Sequence, residues 1–135
     1  MAKTVSVSFP GGQRLAARID QHTVFTDQPR DEGGEGTAPS PFDLFLASIA
    51  TCSAYYAQGF CEKRDIDTSG MALTLHCEYD EAAKRYPRLE MVLTLPPDFP
   101  AKYENAVLKA MEACFVKKHI QNPPEFASTV RRTEE

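Results

Sequence analysis

A chain of 135 residues, 42% hydrophobic and 25% charged, is long enough for one globular domain with a single modest core. Its net charge of −4 and pI near 5.4 argue against a nucleic-acid binder, which carries a basic face. No apolar run approaches the roughly 20 residues needed to cross a bilayer. The start from Met1 to Phe9 also lacks the apolar stretch of a signal peptide. A cytoplasmic protein without membrane contact is the expectation.

Thr4 to Phe9 alternates Val5, Val7 and Phe9 with polar residues, the pattern of a half-buried strand. Pro10-Gly11-Gly12 is a tight turn, Arg14 to Ile19 alternates again, and His22 to Thr26 follows the Asp20-Gln21 turn as a third strand. Together these predict an antiparallel meander. Asp27 to Ala38 is a loop carrying Gly33, Gly34 and Gly36. It is too long for a hairpin turn and is a candidate functional lid.

Ser40-Pro41-Phe42-Asp43 reads as a helix start, with Ser40 as N-cap, Pro41 at the first helical position and Asp43 where a capping box places its acid. The helix is predicted to run to Lys63 or Arg64, where basic residues suit the C-terminal dipole. Phe42, Leu44, Phe45, Leu46, Ile49, Ala50, Ala54, Tyr55, Tyr56 and Phe60 make it apolar around most of its circumference. Such a helix is buried on more than one side. In so short a chain its own sheet covers one side and a second copy the other, so a homodimer is expected.

Met71 to Tyr79 and Leu89 to Leu95 are predicted strands joined by a polar turn around Glu81 to Arg85. Pro96-Pro97-Asp98-Phe99-Pro100 breaks the chain, and a second helix is predicted from Ala101 with Ala106, Val107, Leu108, Ala110, Met111 and Cys114 as its apolar face. Asn122-Pro123-Pro124 stops it, Phe126 to Val130 reads as a last edge strand, and Arg131 to Glu135 as a charged tail. The order β-β-β-α-β-β-α-β is α+β, taken as one domain over residues 1–135.

The chemistry rests on four cysteines, which in a reducing compartment do not form a disulfide framework. Cys52, Cys61, Cys77 and Cys114 lack the short spacings of zinc knuckles, and His22, His76 and His119 form no paired motif. No metal and no cofactor is therefore expected. A helix turns about 100° per residue. Cys61, nine residues after Cys52, therefore lies on the opposite face and cannot pair with it along one straight helix. Cys77 shares one side of its strand with Leu73 and Leu75. Both read as buried, inert thiols.

A reactive cysteine needs a cation or a helix N-terminus to favour its thiolate. Cys52 lies about three turns into its helix, beyond the reach of the dipole. Its activation must come from a tertiary neighbour, with an arginine as the natural candidate. By residue type alone, core packing is the simpler reading of Cys52. Cys114 has Lys117 and Lys118 three and four residues on, where both can approach its face. A helix break at this point would add the effect of a fresh N-terminus.

The segment Gly34 to Cys52, with Ala113-Cys114-Phe115-Val116-Lys117 about sixty residues later, resembles the OsmC/Ohr family over nearly the whole chain. The resemblance implies an intertwined α+β homodimer, with antiparallel sheets around a long central helix and active sites at the subunit interface. It implies a thiol peroxidase acting on organic or small hydroperoxides, with Cys52 as the peroxidatic and Cys114 as the resolving cysteine. It further implies a Cys52–Cys114 disulfide in the cycle and a dithiol reductant, in some relatives a lipoyl group.

Family peroxidases carry a glutamate ten residues before the first cysteine, where this chain has Phe42. Asp43, one residue later, is read as the capping-box acid. Arg30, in the glycine-rich loop, is the candidate for stabilising the Cys52 thiolate, with Arg14 and Arg18 as alternatives. Phe42, Phe45 and Tyr56 are the candidate substrate pocket. The apolar Phe42 also keeps open a rival reading, a non-catalytic dimer that binds a small apolar or thiol-reactive ligand at the interface.

Overall fold

The computed structural model describes residues 2–133. The chain divides into two compact units, one up to Ser48 and one from Ile49.

In the first unit the alternating segments become β1 (Val5–Gly11), β2 (Arg14–Ile19) and β3 (His22–Thr26), an antiparallel sheet in the order β1-β2-β3. Gly11 and Gly12 turn the chain with φ of 138° and 59°, values that cost a residue without Cβ little. Val7 pairs with Ala17 and Ala17 with Val24, so these side chains share one sheet face. Val5 and Val7 on that face stay 54% and 50% exposed.

The loop after β3 is ordered by a buried carboxylate. Asp27 is 1% exposed. Its Oδ2 accepts from the Thr37 hydroxyl at 2.7 Å, the Thr37 N–H at 3.1 Å and the Glu35 N–H at 3.3 Å. Its Oδ1 accepts from the Gln28 N–H at 2.8 Å, and its own N–H donates to the Pro39 carbonyl. One side chain thus closes a glycine-rich excursion and delivers the backbone to Ser40.

The Thr37 hydroxyl, followed by the Thr37, Gln28 and Glu35 N–H groups, outweighs the effect of burial and lowers the Asp27 pKa from 3.8 to about 2. The folded value lies below the unfolded one, so this carboxylate stabilises the fold above about pH 4 and loses that contribution as the pH falls towards 2. Asp27→Asn should therefore lower the urea midpoint at pH 6. The gap to wild type should close between about pH 4 and pH 2. A gap that does not change with pH would show that Asp27 acts through shape rather than charge.

Helix α1 (Pro41–Glu62) begins with the expected capping box. The Asp43 N–H donates to Ser40 Oγ at 3.2 Å, and the Ser40 N–H donates to Asp43 Oδ2 at 3.4 Å. The helix ends at Glu62, slightly before the expected basic residues. Arg64 instead reaches back from beyond the end, donating to the Phe60 carbonyl at 3.1 Å and lying over the Phe60 ring at 3.7 Å. That contact satisfies one of the carbonyls a helix end leaves unpaired.

In the second unit β4 (Ala72–Cys77) and β5 (Leu89–Thr94) form an antiparallel pair. Leu73, Leu75 and Cys77 face Leu93, Met91 and Leu89 on one side, as the alternation predicts. A 3-10 turn (Ala101–Tyr103) leads into α2 (Glu104–Glu112), followed by α3 (Phe115–Gln121). The core is Ala57, Cys61, Phe99, Val107 and Met111, with Met71, Leu73 and Leu93 packed against it.

α1 presents only one stripe of buried residues, Ile49, Ser53, Ala57 and Cys61. The expectation of burial on several sides is not met within a single copy, where Tyr55 is 67% exposed. The expected strand from Phe126 to Val130 is not formed, and these two residues are 88% and 97% exposed. Alternation is not enough for a strand, which also needs an edge to take its backbone hydrogen bonds. Among the described residues no helix is long and apolar enough to cross a membrane.

Candidate active site

Cys52 lies next to the buried stripe of α1 and is half-buried, whereas Cys114 is 0% exposed. The backbone around Cys114 explains how it gets there. α2 ends at Glu112, and Cys114 takes an extended conformation with φ −50° and ψ 124° as the N-cap of α3. Its N–H donates to the Met111 carbonyl at 3.2 Å, and its carbonyl accepts from the Lys118 N–H at 3.1 Å. Both backbone groups are thus satisfied, and the side chain is set at the start of the new helix.

Burial pushes the Cys114 thiol up. The Lys117 N–H, the Cys52 thiol, the Ser53 hydroxyl and the Val116 N–H together outweigh it, so the group ends below the usual cysteine value. The single helix expected from Ala101 to Asn122 is instead broken at Cys114, and the break brings the N–H groups that favour a thiolate. The expected part played by the Lys117 and Lys118 ammonium groups is not seen. Lys117 acts through its backbone N–H. Its side chain lines a cavity of about 420 Å³ with Ile49, Leu75, Leu89, Met91 and Ile120.

The fold therefore brings together the two cysteines singled out from the sequence, the Cys52 thiol being one of the groups that lower the Cys114 pKa. Cys61 does not take part. Its sulfur lies 3.8 Å from that of Met71 in the core. Burial raises its pKa, with Arg64 opposing. Cys77 stays on the sheet, with its sulfur 3.9 Å from the Leu75 carbonyl.

Arg30 sits in the first unit in a 3-10 turn (Arg30–Glu32), where its Nε donates to the Glu35 carbonyl at 3.5 Å. Arg14 donates to the Gly11 carbonyl at 3.4 Å. Phe42 and Phe45 pack on one another with ring centroids 5.3 Å apart. Tyr56, in the second unit, lines a cavity of about 570 Å³ with Tyr55, Gly59, Phe60, Arg64 and Ala110.

Two polar residues escape a reading of the sequence alone. Asp27 looks like an ordinary loop acid, and its role depends on donors eight and ten residues away. Ser53 is 0% exposed, and its hydroxyl makes no conventional hydrogen bond. It is one of the groups that lower the Cys114 pKa. Leaving a buried hydroxyl poorly paired costs about 1–3 kcal/mol. The available signal was its four-residue spacing from Ile49 and Ala57, which places a polar group on the buried stripe.

Residues 34–129, from the glycine loop through α3, match the sequence model of the family described as OsmC-like protein. The chain belongs to the OsmC-like family. Its fold is shared with solved OsmC proteins at low identity. A Psychrobacter arcticus 273-4 protein, described as osmotic stress induced and as a detoxification response protein, superposes with a TM-score of 0.74 at 24% identity. That alignment covers 87% of this chain and 88% of the other. An organic hydroperoxide resistance protein OsmC from Legionella pneumophila gives a TM-score of 0.62 at 21% identity, over 90% of both chains. An OsmC like protein from Mycoplasma pneumoniae gives 0.71 at 11% identity, over 91% and 89% of the two chains. No curated protein matches the sequence. The α+β architecture, with antiparallel strands and a long helix, is thus the OsmC fold.

Proposed function

We propose that this OsmC-like protein is a thiol-dependent peroxidase that reduces organic or small hydroperoxides. The observation that carries the reading is a half-buried Cys52 near enough to a fully buried Cys114 to lower its pKa. The accessible thiol can meet the peroxide while its partner is kept away from it. The Legionella pneumophila relative is named for organic hydroperoxide resistance, which supports the substrate class and a role in stress response.

In the first step the Cys52 thiolate attacks the peroxide. The O–O bond breaks, the alcohol or water oxygen leaves and takes a proton, and Cys52 becomes a sulfenic acid. In the second, the Cys114 thiolate attacks the Cys52 sulfur. The S–O bond breaks, hydroxide leaves and is protonated to water, and the disulfide forms. An external dithiol, for which a lipoyl group is the candidate, reduces the disulfide and is itself oxidised. Arg30 is assigned to stabilising the Cys52 thiolate, and Phe42, Phe45 and Tyr56 to receiving the apolar part of the substrate.

The partner in this reading is a second copy of the chain, in the cytoplasm. The exposed Val5, Val7 and Phe9 along β1 and the exposed Tyr55 on α1 support it, since apolar side chains on regular elements are normally covered. The competing reading, a non-catalytic dimer binding an apolar or thiol-reactive ligand, draws on the apolar Phe42–Phe45 pair.

One equivalent of an organic hydroperoxide should convert the protein to the Cys52–Cys114 disulfide, read by peptide mass spectrometry. Arg30→Ala should form it more slowly, and sedimentation of the same sample should give twice the chain mass. Peroxide that leaves Cys52 unmodified would favour the ligand-binding reading. A Cys52 sulfenic acid that never pairs would remove Cys114 from the cycle.

A further inference from the structure

Gly59 lies inside α1, where a glycine weakens the helix relative to alanine. Two needs within the fold commonly keep a glycine in place, and neither applies. Its φ is not positive, so no left-handed turn demands it. A Cβ at Gly59 would meet nothing within 4 Å, so no other element packs closely on its backbone. What the missing side chain leaves is space. Gly59 lines the cavity of about 570 Å³, with Tyr55, Tyr56 and Phe60 from the same helix and Ala110 and Ala113 from the end of α2. Three small residues thus keep a slot open among three aromatic ones.

The slot is in line with Cys52. Gly59 follows Cys52 by seven residues, about 20° short of two full helical turns. Tyr56, four residues after Cys52, lies between them on the same side of the helix. Cys52 and Gly59 are about 10 Å apart along the axis, a span that a short alkyl chain ending in a ring covers. The walls suit such a ring, because aromatic groups pack edge-on or offset against one another. Tyr55 and Tyr56 meet edge to face with centroids 5.6 Å apart. Phe60 is fixed by Tyr103 at 5.8 Å and by the Arg64 guanidinium at 3.7 Å.

We propose that Gly59 is a specificity-determining residue: its missing side chain admits the organic group of an aryl-alkyl hydroperoxide whose peroxide end reaches Cys52. The inference rests on the reading of Cys52 as the peroxidatic thiol, and it names the organic group that site takes.

Gly59→Leu fills the slot and Gly59→Ala fills part of it. Each is compared with wild type on phenylbutyl hydroperoxide and ethyl hydroperoxide. The ratio of kcat/KM for the aryl over the ethyl substrate should fall about tenfold or more in Gly59→Leu, the scale on which a pocket separates apolar groups by size. It should fall by less in Gly59→Ala, which keeps the test open should leucine prevent folding. An unchanged ratio in either folded variant would overturn the proposal. So would an altered sedimenting mass in Gly59→Leu, since the space would then belong to a contact between copies.

A second measurement needs no peroxide. Cys52 is alkylated with iodoacetamide or with its N-phenylbutyl derivative. The sulfur–carbon bond forms, the carbon–iodine bond breaks, and iodide leaves with the electron pair. Peptide mass spectrometry reads the modification at Cys52. Gly59→Leu should slow the phenylbutyl reagent about tenfold relative to iodoacetamide. Equal slowing of both reagents would overturn the proposal, because the leucine would then act on Cys52 itself. Selective slowing in a protein whose wild type consumes no peroxide would sink the peroxidase reading and uphold the selectivity of the slot.

Discussion

Replacing Cys52 by serine should reduce hydroperoxide consumption by about a hundredfold or more, the scale of loss that follows removal of a nucleophile. A serine hydroxyl is not ionised at neutral pH and cannot supply the electron pair that breaks the O–O bond. Cys114→Ser should behave differently. Its first turnover should proceed, because Cys52 remains partly open to solvent. With no neighbouring thiol to close the disulfide, Cys52 should then persist as sulfenic acid and advance to sulfinic acid under excess peroxide.

The pair of variants thus assigns the two roles. Consumption is lost at once in Cys52→Ser, and in Cys114→Ser it stops after the one or two equivalents that oxidise Cys52 to sulfenic and then sulfinic acid. Peroxide consumption measured with a dithiol, together with the mass of the Cys52 peptide, reads both. Equal consumption by wild type and Cys52→Ser would sink the peroxidase reading. Steady multiple turnover by Cys114→Ser would show that the reductant acts on the sulfenic acid directly.

Gly34→Ala should destabilise the first unit by about 3 kcal/mol, at the upper end of what forced overpacking costs. A Cβ at Gly34 would lie 2.0 Å from the Gln28 carbonyl oxygen, 2.5 Å from its carbon and 2.8 Å from Asp27 Oδ1. Two of these atoms are backbone, and the third belongs to the carboxylate that ties the loop. The Gln28 carbonyl also accepts from the Gly36 N–H at 3.0 Å, and the Gly34 N–H donates to the Pro29 carbonyl at 3.0 Å. Relief of the clash must break that set of bonds.

Gly59 provides the control. It lies inside α1, and a Cβ there meets nothing within 4 Å. Gly59→Ala should therefore be neutral or stabilising by about 0.5–1 kcal/mol through helix propensity. Urea unfolding of both variants checks the contrast. A Gly34→Ala protein as stable as wild type would show that the loop is not held as tightly as its hydrogen bonds indicate.

Much of the architecture follows from local chemistry. The reciprocal Ser40–Asp43 bonds were readable because a capping box uses residues three apart. The meander and the β4–β5 pair were readable because alternation and Pro/Gly turns act over a few residues. Errors arose where an element needed a partner. Phe126 to Val130 has the pattern of a strand but pairs with none. The apolar circumference of α1 is buried along only one stripe in a single copy.

The candidate site divides along the same line. The sequence by itself singled out Cys52 and Cys114, because helical phase separates Cys61 from Cys52 and the family-like segments frame the other two. It also assigned Asp43 to a cap rather than to catalysis. Only the tertiary structure decided what acts on Cys114. Backbone N–H groups of Val116 and Lys117, the thiol of Cys52 and the hydroxyl of Ser53 favour its thiolate, where lysine charges were expected. The physical reason is that hydrogen bonding depends on ångström-scale distance and direction between groups far apart in the chain. Cys52 and Cys114 are 62 residues apart, and no periodicity within α1 or α2 carries that geometry.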